Sequence, residues 1–506
     1  MTPRVDDDPA RLHLSGARVL IAGAGTTGVA VLAALTEWGA EAILVDRRFA
    51  DPDAAVPSGA QTAVPADYAD SPGAFTGIDL VVTSPGFRPD DAVLTAAAAA
   101  GVPVWGDVEL AWRADRAGLT GPPRRWLVIT GTNGKTTTTS MTEAVLQAAG
   151  IAGVACGNIG LTVLDALRAQ PRAEVLCVEA SSFQLHWAPS VRPDAGVVLN
   201  VADDHLDWHG SFAAYRDAKA RVLRGRIAVV GLDDAVAGAL PVEPPSRRVG
   251  FTLGAPARGE LGVRDGVLVD AAFTDGAPAE LLPADRVRPS GPSGIADALA
   301  AAALTRSIGV PVDAVARGLA GFTPGAHRGA VVASIGPVRF VDDSKATNPH
   351  AAQAAIDGQQ RVVLIAGGLL KGAPVDELVQ RSADRLAGVV AIGADRQIIV
   401  DAIARHAPQV PTVSVFTGDD GSVILHRTAD PDRPDRVQTL PAGGDPAVAV
   451  MTQAVHSAWA LAQDDPATTA VLLAPAAASL DMFPGYSARG DAFAAAAAEL
   501  ATAAER

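Results

Sequence analysis

Short apolar runs punctuate the chain, and alanine- and leucine-rich stretches at helical spacing lie between them. A first set comprises Ala17 to Ala22, Ala42 to Val45, Leu80 to Thr83 and Val102 to Trp105. A second comprises Val175 to Glu179, Ala195 to Asn200 and Ile227 to Val230, and a third Val338 to Val341, Arg361 to Ala366, Gly388 to Ile392 and Ala470 to Leu473. Continuous apolar runs of this length suit strands covered on both faces, and their alternation with helical stretches predicts parallel α/β sheets. Thr95 to Ala100, Gly294 to Ile308 and Ala492 to Glu499 read as helices rather than as low-complexity linkers. Val242 to Arg288 departs from the pattern: its Pro, Gly and short alternating runs predict a small antiparallel appendage. Gly121-Pro122-Pro123 reads as a linker, and Asp430 to Asp435 and Pro441 to Pro446 as mobile loops. The expected division is 1–121, 122–328 and 329–506, three α/β domains with no internal repeat beyond the βα unit.

One stretch carries chemistry openly. The apolar run Trp126 to Ile129 leads into Thr130-Gly131-Thr132-Asn133-Gly134-Lys135-Thr136-Thr137 and then a helix-compatible segment. Glycines let successive N–H groups point at a phosphate, the helix N-terminus adds partial positive charge, the lysine supplies a cation and a threonine hydroxyl can hold Mg²⁺. The loop departs from the common nucleotide pattern in having Ile129 five positions before Gly134. A nucleoside triphosphate is the expected ligand, and the surrounding segment is expected to be a P-loop ATPase-like parallel sheet domain.

Downstream, Glu179 ends one apolar run, and Asp204-His205 follows another. A carboxylate, an imidazole and the Thr136 hydroxyl can supply part of a magnesium shell, with phosphate and water filling the rest. Taken singly, Glu179 reads as a surface charge and His205 as a helix cap. Their order after one phosphate loop favours the site.

The N-terminal segment opens with Gly23-Ala24-Gly25-Thr26-Thr27-Gly28 after a strand, with Asp46 about twenty residues on. This Rossmann-like turn suits a diphosphate, and alone it leaves a nicotinamide dinucleotide open. Ser84-Pro85-Gly86 marks a strand end where open α/β sheets place ligands.

Composition narrows the class. With 506 residues, 49% hydrophobic and 19% charged, the chain suits a multi-domain globular enzyme. A net charge of −15 disfavours nucleic-acid binding, and two cysteines in such a length fit a reducing cytoplasm. The N-terminus has no apolar core, so neither a signal peptide nor membrane insertion is expected.

Together the motifs resemble the Mur ligases, ATP-dependent amide-forming enzymes of peptidoglycan precursor synthesis. The resemblance rests on Gly131-Thr-Asn-Gly-Lys-Thr-Thr137, Gly157-Asn158-Ile-Gly, Glu179-Ala-Ser-Ser-Phe-Gln-Leu185, Asp204-His205 and Lys219. His327-Arg328, Asp342-Asp343-Ser344-Lys345-Ala-Thr347-Asn348, the stretch to Lys371, and Ser479 to Tyr486 resemble the branch that adds D-glutamate. The resemblance implies ATP contacts from Gly131 to Thr137 and from Arg328 and Asp343, with Lys135, Glu179, His205 and Lys219 catalytic. It implies two Mg²⁺ ions held by Thr136, Glu179, His205 and Lys219, the lysine carbamylated by CO₂. It places UDP-N-acetylmuramoyl-L-alanine against Gly25, Thr26, Thr27, Asp46, Arg48, Ser84, Pro85, Gly86 and Asn158, in a Rossmann-like domain without NAD. D-Glutamate would meet Lys345, Thr347, Lys371, Ser479 and Tyr486 on a C-terminal Rossmann-like α/β domain. A monomer working on small molecules in the cytoplasm is expected. Two departures stand out: Gly291-Pro-Ser-Gly294-Ile-Ala-Asp297 replaces a His-Asn-x-x-Asn stretch whose amides contact adenine, and Ala477 replaces a cysteine. The alternative is a Mur-ligase-like nucleotide-binding protein without turnover; retention of Lys135, Glu179, His205 and Lys219 together argues against it.

Overall fold

The computed structural model describes residues 8, 11–57, 60–69, 73–418, 420–428, 436–440 and 444–504. The chain folds as two compact units, 1–286 with 296–322, and 287–295 with 323–506.

The first unit holds two sheets. Strands β1 (Arg18–Ala22), β2 (Glu41–Val45), β3 (Gln61–Ala63), β4 (Leu80–Thr83) and β5 (Val104–Gly106) form a parallel sheet in the order β3-β2-β1-β4-β5. The chain reverses its direction of travel across the sheet between β1 and β4. The loops after those two strands therefore flank a crevice of the kind that takes ligands in such sheets. Side chains alternate in direction along a strand, so Val19 and Ile21 enter one core while Leu20 and Ala22 enter another.

The second sheet contains β6 (Arg125–Thr130), β7 (Gly153–Gly157), β8 (Val175–Glu179), β9 (Ala195–Val198), β10 (Ile227–Gly231), β11 (Arg247–Phe251), β12 (Glu260–Arg264), β13 (Val267–Asp270) and β14 (Ala279–Pro283). Its order is β14-β13-β12-β11-β10-β9-β6-β8-β7. The expected small antiparallel appendage holds only in part. Residues 242–288 continue the main sheet, β11 and β12 in parallel and only β13 and β14 antiparallel. The short alternating runs revealed strands; they could not reveal that the edge of β10 was open to receive them.

One hydrophobic core runs from Leu35 in the first segment through Trp112 to Trp126 and Leu164 in the second. The helix Asp107–Arg116 is its polar counterpart, for Asp107, Glu109 and Asp115 are all buried. Each carboxyl has at least one partner: Gln184 donates to Asp107 at 3.1 Å, Ser190 N to Glu109 at 3.0 Å, and Arg124 and Trp126 Nε1 to Asp115, each at 3.0 Å. The second oxygen of Asp107 has none among the described residues, and burial pushes that carboxyl up to about 6.

The second unit holds one sheet, β15 (Ala330–Ile335), β16 (Val338–Asp342), β17 (Val362–Gly367), β18 (Leu386–Ile392), β19 (Thr412–Thr417), β20 (Val423–Thr428), β21 (Arg436–Leu440) and β22 (Ala470–Leu473), ordered β15-β16-β22-β17-β18-β19-β20-β21. Strands β16, β22, β17, β18 and β19 are parallel, with antiparallel strands at both margins. Val362, Leu364 and Ala366 face one core and Val363 and Ile365 the other, as strand alternation requires. Strands β20 and β21 escaped the sequence pattern. The expected loop at Asp430 to Asp435 lies outside the described residues, as do 441–443 of the other; Pro446 begins a helix, Pro446–Asp464.

Candidate active site

Strand β6 buries Trp126 to Ile129 completely and delivers the chain to Gly131 at the carboxyl edge of the sheet. Gly134 adopts φ +83°, which a side chain resists, and immediately precedes the helix Lys135–Ala148. Asn200, just past β9, fixes the loop. Its Oδ1 accepts from Asn133 N at 2.9 Å and its Nδ2 donates to Asn133 O at 3.2 Å. Lys135 Nζ donates to the carbonyls of Gly131 and Thr132 at 3.0 and 2.9 Å. Burial lowers its pKa, while Glu179 and Asp204 pull it back up. Thr136 is buried in the first helical turn.

Glu179 ends β8, adjacent to β6, and is 2% exposed. Asn158 Nδ2 donates to its Oε1 at 3.0 Å, and its buried Oε2 has no partner among the described residues. An orphaned carboxylate oxygen beside a phosphate loop suits a cation, so the residues present fit a magnesium ion. His205 lies at φ 53° before the short helix Leu206–His209, its Nδ1 3.4 Å from Asp204 and its ring 4.7 Å from that of Phe183. Partial burial lowers its pKa, with Asp204 opposing and Lys219 and Lys135 reinforcing, which keeps the imidazole neutral and able to ligate. Among the described residues no three His, Cys, Asp or Glu side chains converge to hold a metal on their own. A cation here would need the Thr136 hydroxyl and ligands brought by substrate.

Lys219, on the helix Phe212–Ala220, is 2% exposed. Its Nζ donates to the same Gly131 carbonyl at 2.8 Å and lies 4.6 Å from the ring centroid of Tyr215. Burial, then the neighbouring Lys135 charge, pushes its pKa well below the usual lysine value, with Asp204 opposing. Both effects favour the uncharged amine, the form able to act as a nucleophile. Tyr215 pairs with Thr132 Oγ1 at 2.9 Å, tying this helix to the loop.

In the first sheet, Gly25 caps the helix Thr26–Glu37, with Thr27 in its first turn. Asp46 accepts from Ala24 N at 2.8 Å and Arg48 N at 3.1 Å. Burial alone would raise its pKa; these backbone bonds and Arg48 outweigh it and hold the carboxylate low. Ser84, after β4, has a buried hydroxyl with no partner among the described residues, next to Gly23. The loop after β4 and the short helix Leu206–His209 are joined: Arg88 donates to Asp207 O at 2.8 Å and Trp208 Nε1 to Gly86 O at 3.4 Å. Asn158, expected at the UDP substrate, has Glu179 as its described partner.

In the second unit, β16, β22 and β17 are adjacent parallel strands, so the loops bearing Lys345, Ser479 and Lys371 leave one edge of the sheet. Leu369 and Ala478 exchange backbone bonds at 2.9 and 3.0 Å, joining two of these loops. Lys345 Nζ is 5.7 Å from the Tyr486 ring, Ser479 is buried, and Thr347 and Lys371 are exposed. His327 Nδ1 pairs with Asp342 at 2.6 Å. Burial, then Asp342, pushes Asp343 up to about 7, with Arg328 and Lys345 opposing. Arg328 Nε is buried without a partner among the described residues. Arg489, 1% exposed, braces the site by donating to Ser344 O at 2.8 Å and Ala477 O at 3.0 Å.

The sequence reading passed over Asn200, Tyr215, Arg88 and Arg489. Asn200 ends an apolar run and Tyr215 stands four residues before Lys219, so strand-end and helical spacing are the signals the sequence holds for them.

Two family models match the chain, the Mur ligase middle domain over residues 129–257 and the Mur ligase MurD-like N-terminal domain over residues 17–106. The chain is 56% identical to the UDP-N-acetylmuramoylalanine–D-glutamate ligase of Rhodococcus jostii, covering 95% of each chain. It is 57% identical to the ligase of the same name from Mycolicibacterium smegmatis, covering 98% of this chain and 99% of that one. Among solved structures, the UDP-N-acetylmuramate–alanine ligase of Thermotoga maritima shares the fold at a TM-score of 0.52 and 16% identity, over 96% of this chain and 99% of that one. A MurF ligase of Thermotoga maritima in complex with ADP does so at 0.52 and 15%, over 97% and 96%. The chain belongs to the Mur ligase family, alongside the D-glutamate ligases it matches along nearly its whole length.

Proposed function

We propose that this chain joins D-glutamate to UDP-N-acetylmuramoyl-L-alanine at the expense of ATP, in peptidoglycan precursor synthesis. The observation that carries the reading is the convergence of Lys135, Lys219 and the Gly131 carbonyl beside Glu179, in a chain so close to D-glutamate ligases. The alanyl carboxylate attacks the γ-phosphorus of ATP, ADP leaves, and an acyl phosphate results. The D-glutamate amine, having lost its proton, attacks the acyl carbon, and phosphate departs from the tetrahedral intermediate. The Lys135 ammonium and the loop N–H groups face the charge that develops on the transferring phosphoryl group.

Mg²⁺ would supply further charge neutralisation, held by Thr136, Glu179 and His205. Lys219 completes the set as a carbamate: its neutral Nζ attacks CO₂ and loses a proton, turning a would-be cation into an anionic ligand. Arg328 and Asp343 contact ATP. Lys345, Thr347, Lys371, Ser479 and Tyr486 receive D-glutamate, whose two carboxylates require cations and hydroxyl donors at both ends. UDP-N-acetylmuramoyl-L-alanine lies against Gly25 to Thr27, Asp46, Arg48, Ser84 to Gly86 and Asn158. The working division is 1–121, 122–328 and 329–506, and the site of action the cytoplasm. ADP release with UDP-N-acetylmuramoyl-L-alanine tests the reading, with D-glutamate, L-glutamate, meso-diaminopimelate or L-alanine as acceptor. D-Glutamate alone should support turnover; equal release without any amino acid would mean an ATPase.

A further inference from the structure

The helix Pro292–Ser307 carries an acid that the mechanism does not use. Asp297 is 7% exposed, and its Oδ1 accepts from Thr138 Oγ1 at 3.0 Å. Thr138 lies one turn into the phosphate-loop helix, and its own N–H donates to Gly134 O at 2.9 Å. A Cβ built on Gly134 would come within 2.3 Å of the same Oδ1. The carboxyl thus occupies the side-chain space that glycine leaves free at the left-handed corner of the loop. Leu199 closes that corner from another side, 3.2 Å from the same point. The arrangement is a wedge: one side chain from a distant helix locks the residue before the helix and the residue four on. A carboxyl beside an anion site repels a phosphate when ionised and is harmless when neutral. Burial pushes this one up to about 8, so it stands there protonated near neutral pH.

We propose that Asp297 is a positioning residue of the phosphate loop, wedged at Gly134 and bonded by Thr138 so that the Gly134–Thr138 turn keeps its N–H groups aimed at a nucleotide phosphate. The inference rests on the loop being the ATP site. Asp297→Ala removes wedge and acceptor, Asp297→Asn keeps both without the acid, and Thr138→Val removes only the donor. Each is assayed in the full chain for KM of ATP, D-glutamate and UDP-N-acetylmuramoyl-L-alanine and for kcat, with thermal midpoints recorded and Lys135→Ala run alongside. Losing one buried hydrogen bond at a binding loop should raise the ATP KM of Asp297→Ala about tenfold. The other two KM values should stay within about twofold of wild type, since uniform loss would mean general damage. Thr138→Val should shift the ATP KM in the same direction, adding nothing further in combination with Asp297→Ala. Asp297→Asn should restore most of the ATP affinity. An unchanged ATP KM in Asp297→Ala, or an equal rise in all three constants, overturns the proposal. An Asn variant as poor as Ala does so too, because it would make the acid itself the requirement. If Lys135→Ala also turns over normally, the ATP-site reading is what has failed.

Discussion

At the scale of single residues, the site is organised around one carbonyl. Gly131 O accepts from both Lys135 and Lys219, so two lysines stand together with burial working against charge on each. Their functions should separate on substitution. On the proposed reaction, Lys135→Ala removes the cation that faces the transferring phosphoryl group, and turnover should fall on the order of 10²-fold or more in an ADP-release assay, with folding unchanged by circular dichroism. Lys219→Ala should be severely impaired and regain part of its rate in added formate or acetate, which restores an anion at the vacated position. Lys219→Arg should stay inactive with or without those acids, because guanidinium cannot be carbamylated. Full activity of the arginine variant would remove the carbamate from the scheme. In the second unit, Lys345→Ala should raise the KM for D-glutamate well above any change in that for ATP, having lost a charge-assisted bond to a carboxylate. A selective effect on ATP would instead assign Lys345 to the nucleotide.

At the scale of elements, the parallel strands were legible because burial on both faces writes a continuous apolar run, and β4, β8 and β22 fall where those runs stand. Margins were not. Strands β20 and β21 carry His426, Arg427 and Gln438 among their residues, so their polarity hides them among loops. The strand, glycine turn and helix that carry Lys135 were equally plain, since an apolar run followed by glycines and a helix-compatible stretch marks them locally. What stayed hidden were supports whose partners are distant in sequence: Asn200 lies 67 residues from Asn133, and Asp297 lies 159 from Thr138. No local pattern encodes such meetings. The junction of loops in the second unit gives an element-scale prediction. Gly368 has φ +133°, and a Cβ there would lie 2.2 Å from Ala478 O. Gly368→Ala should push the loop of Lys371 away from that of Ser479 and cost on the order of 3 kcal/mol in urea unfolding. A variant as stable as wild type would show that the two loops can part freely.

At the scale of the whole molecule, the first two sheets share a core while the third has its own two. Proton linkage acts on the stability of the first unit as a body. Asp297 holds its proton to about 8 in the fold, whereas an unfolded chain releases it near pH 4. Between these values the unfolded state binds fewer protons, so this group makes stability fall as pH rises. Asp297→Asn removes that contribution. Its stability relative to wild type should increase from about pH 5 to about pH 8 in paired urea titrations, and a constant difference would contradict the linkage. Burial also arranges a wider trade. Five described non-glycine residues have positive φ, and three of them, His205, His327 and Lys371, are site or site-adjacent positions. Glycine at any of the three would relieve strain of about 1 kcal/mol while deleting, at His205 and Lys371, the imidazole and ammonium to which the proposed reaction gives a role, and at His327 the side chain paired with Asp342. A library selected for heat resistance alone should therefore drift toward glycine at these positions and emerge sturdier and inert. Laboratory evolution of this scaffold would have to select for turnover and endurance together.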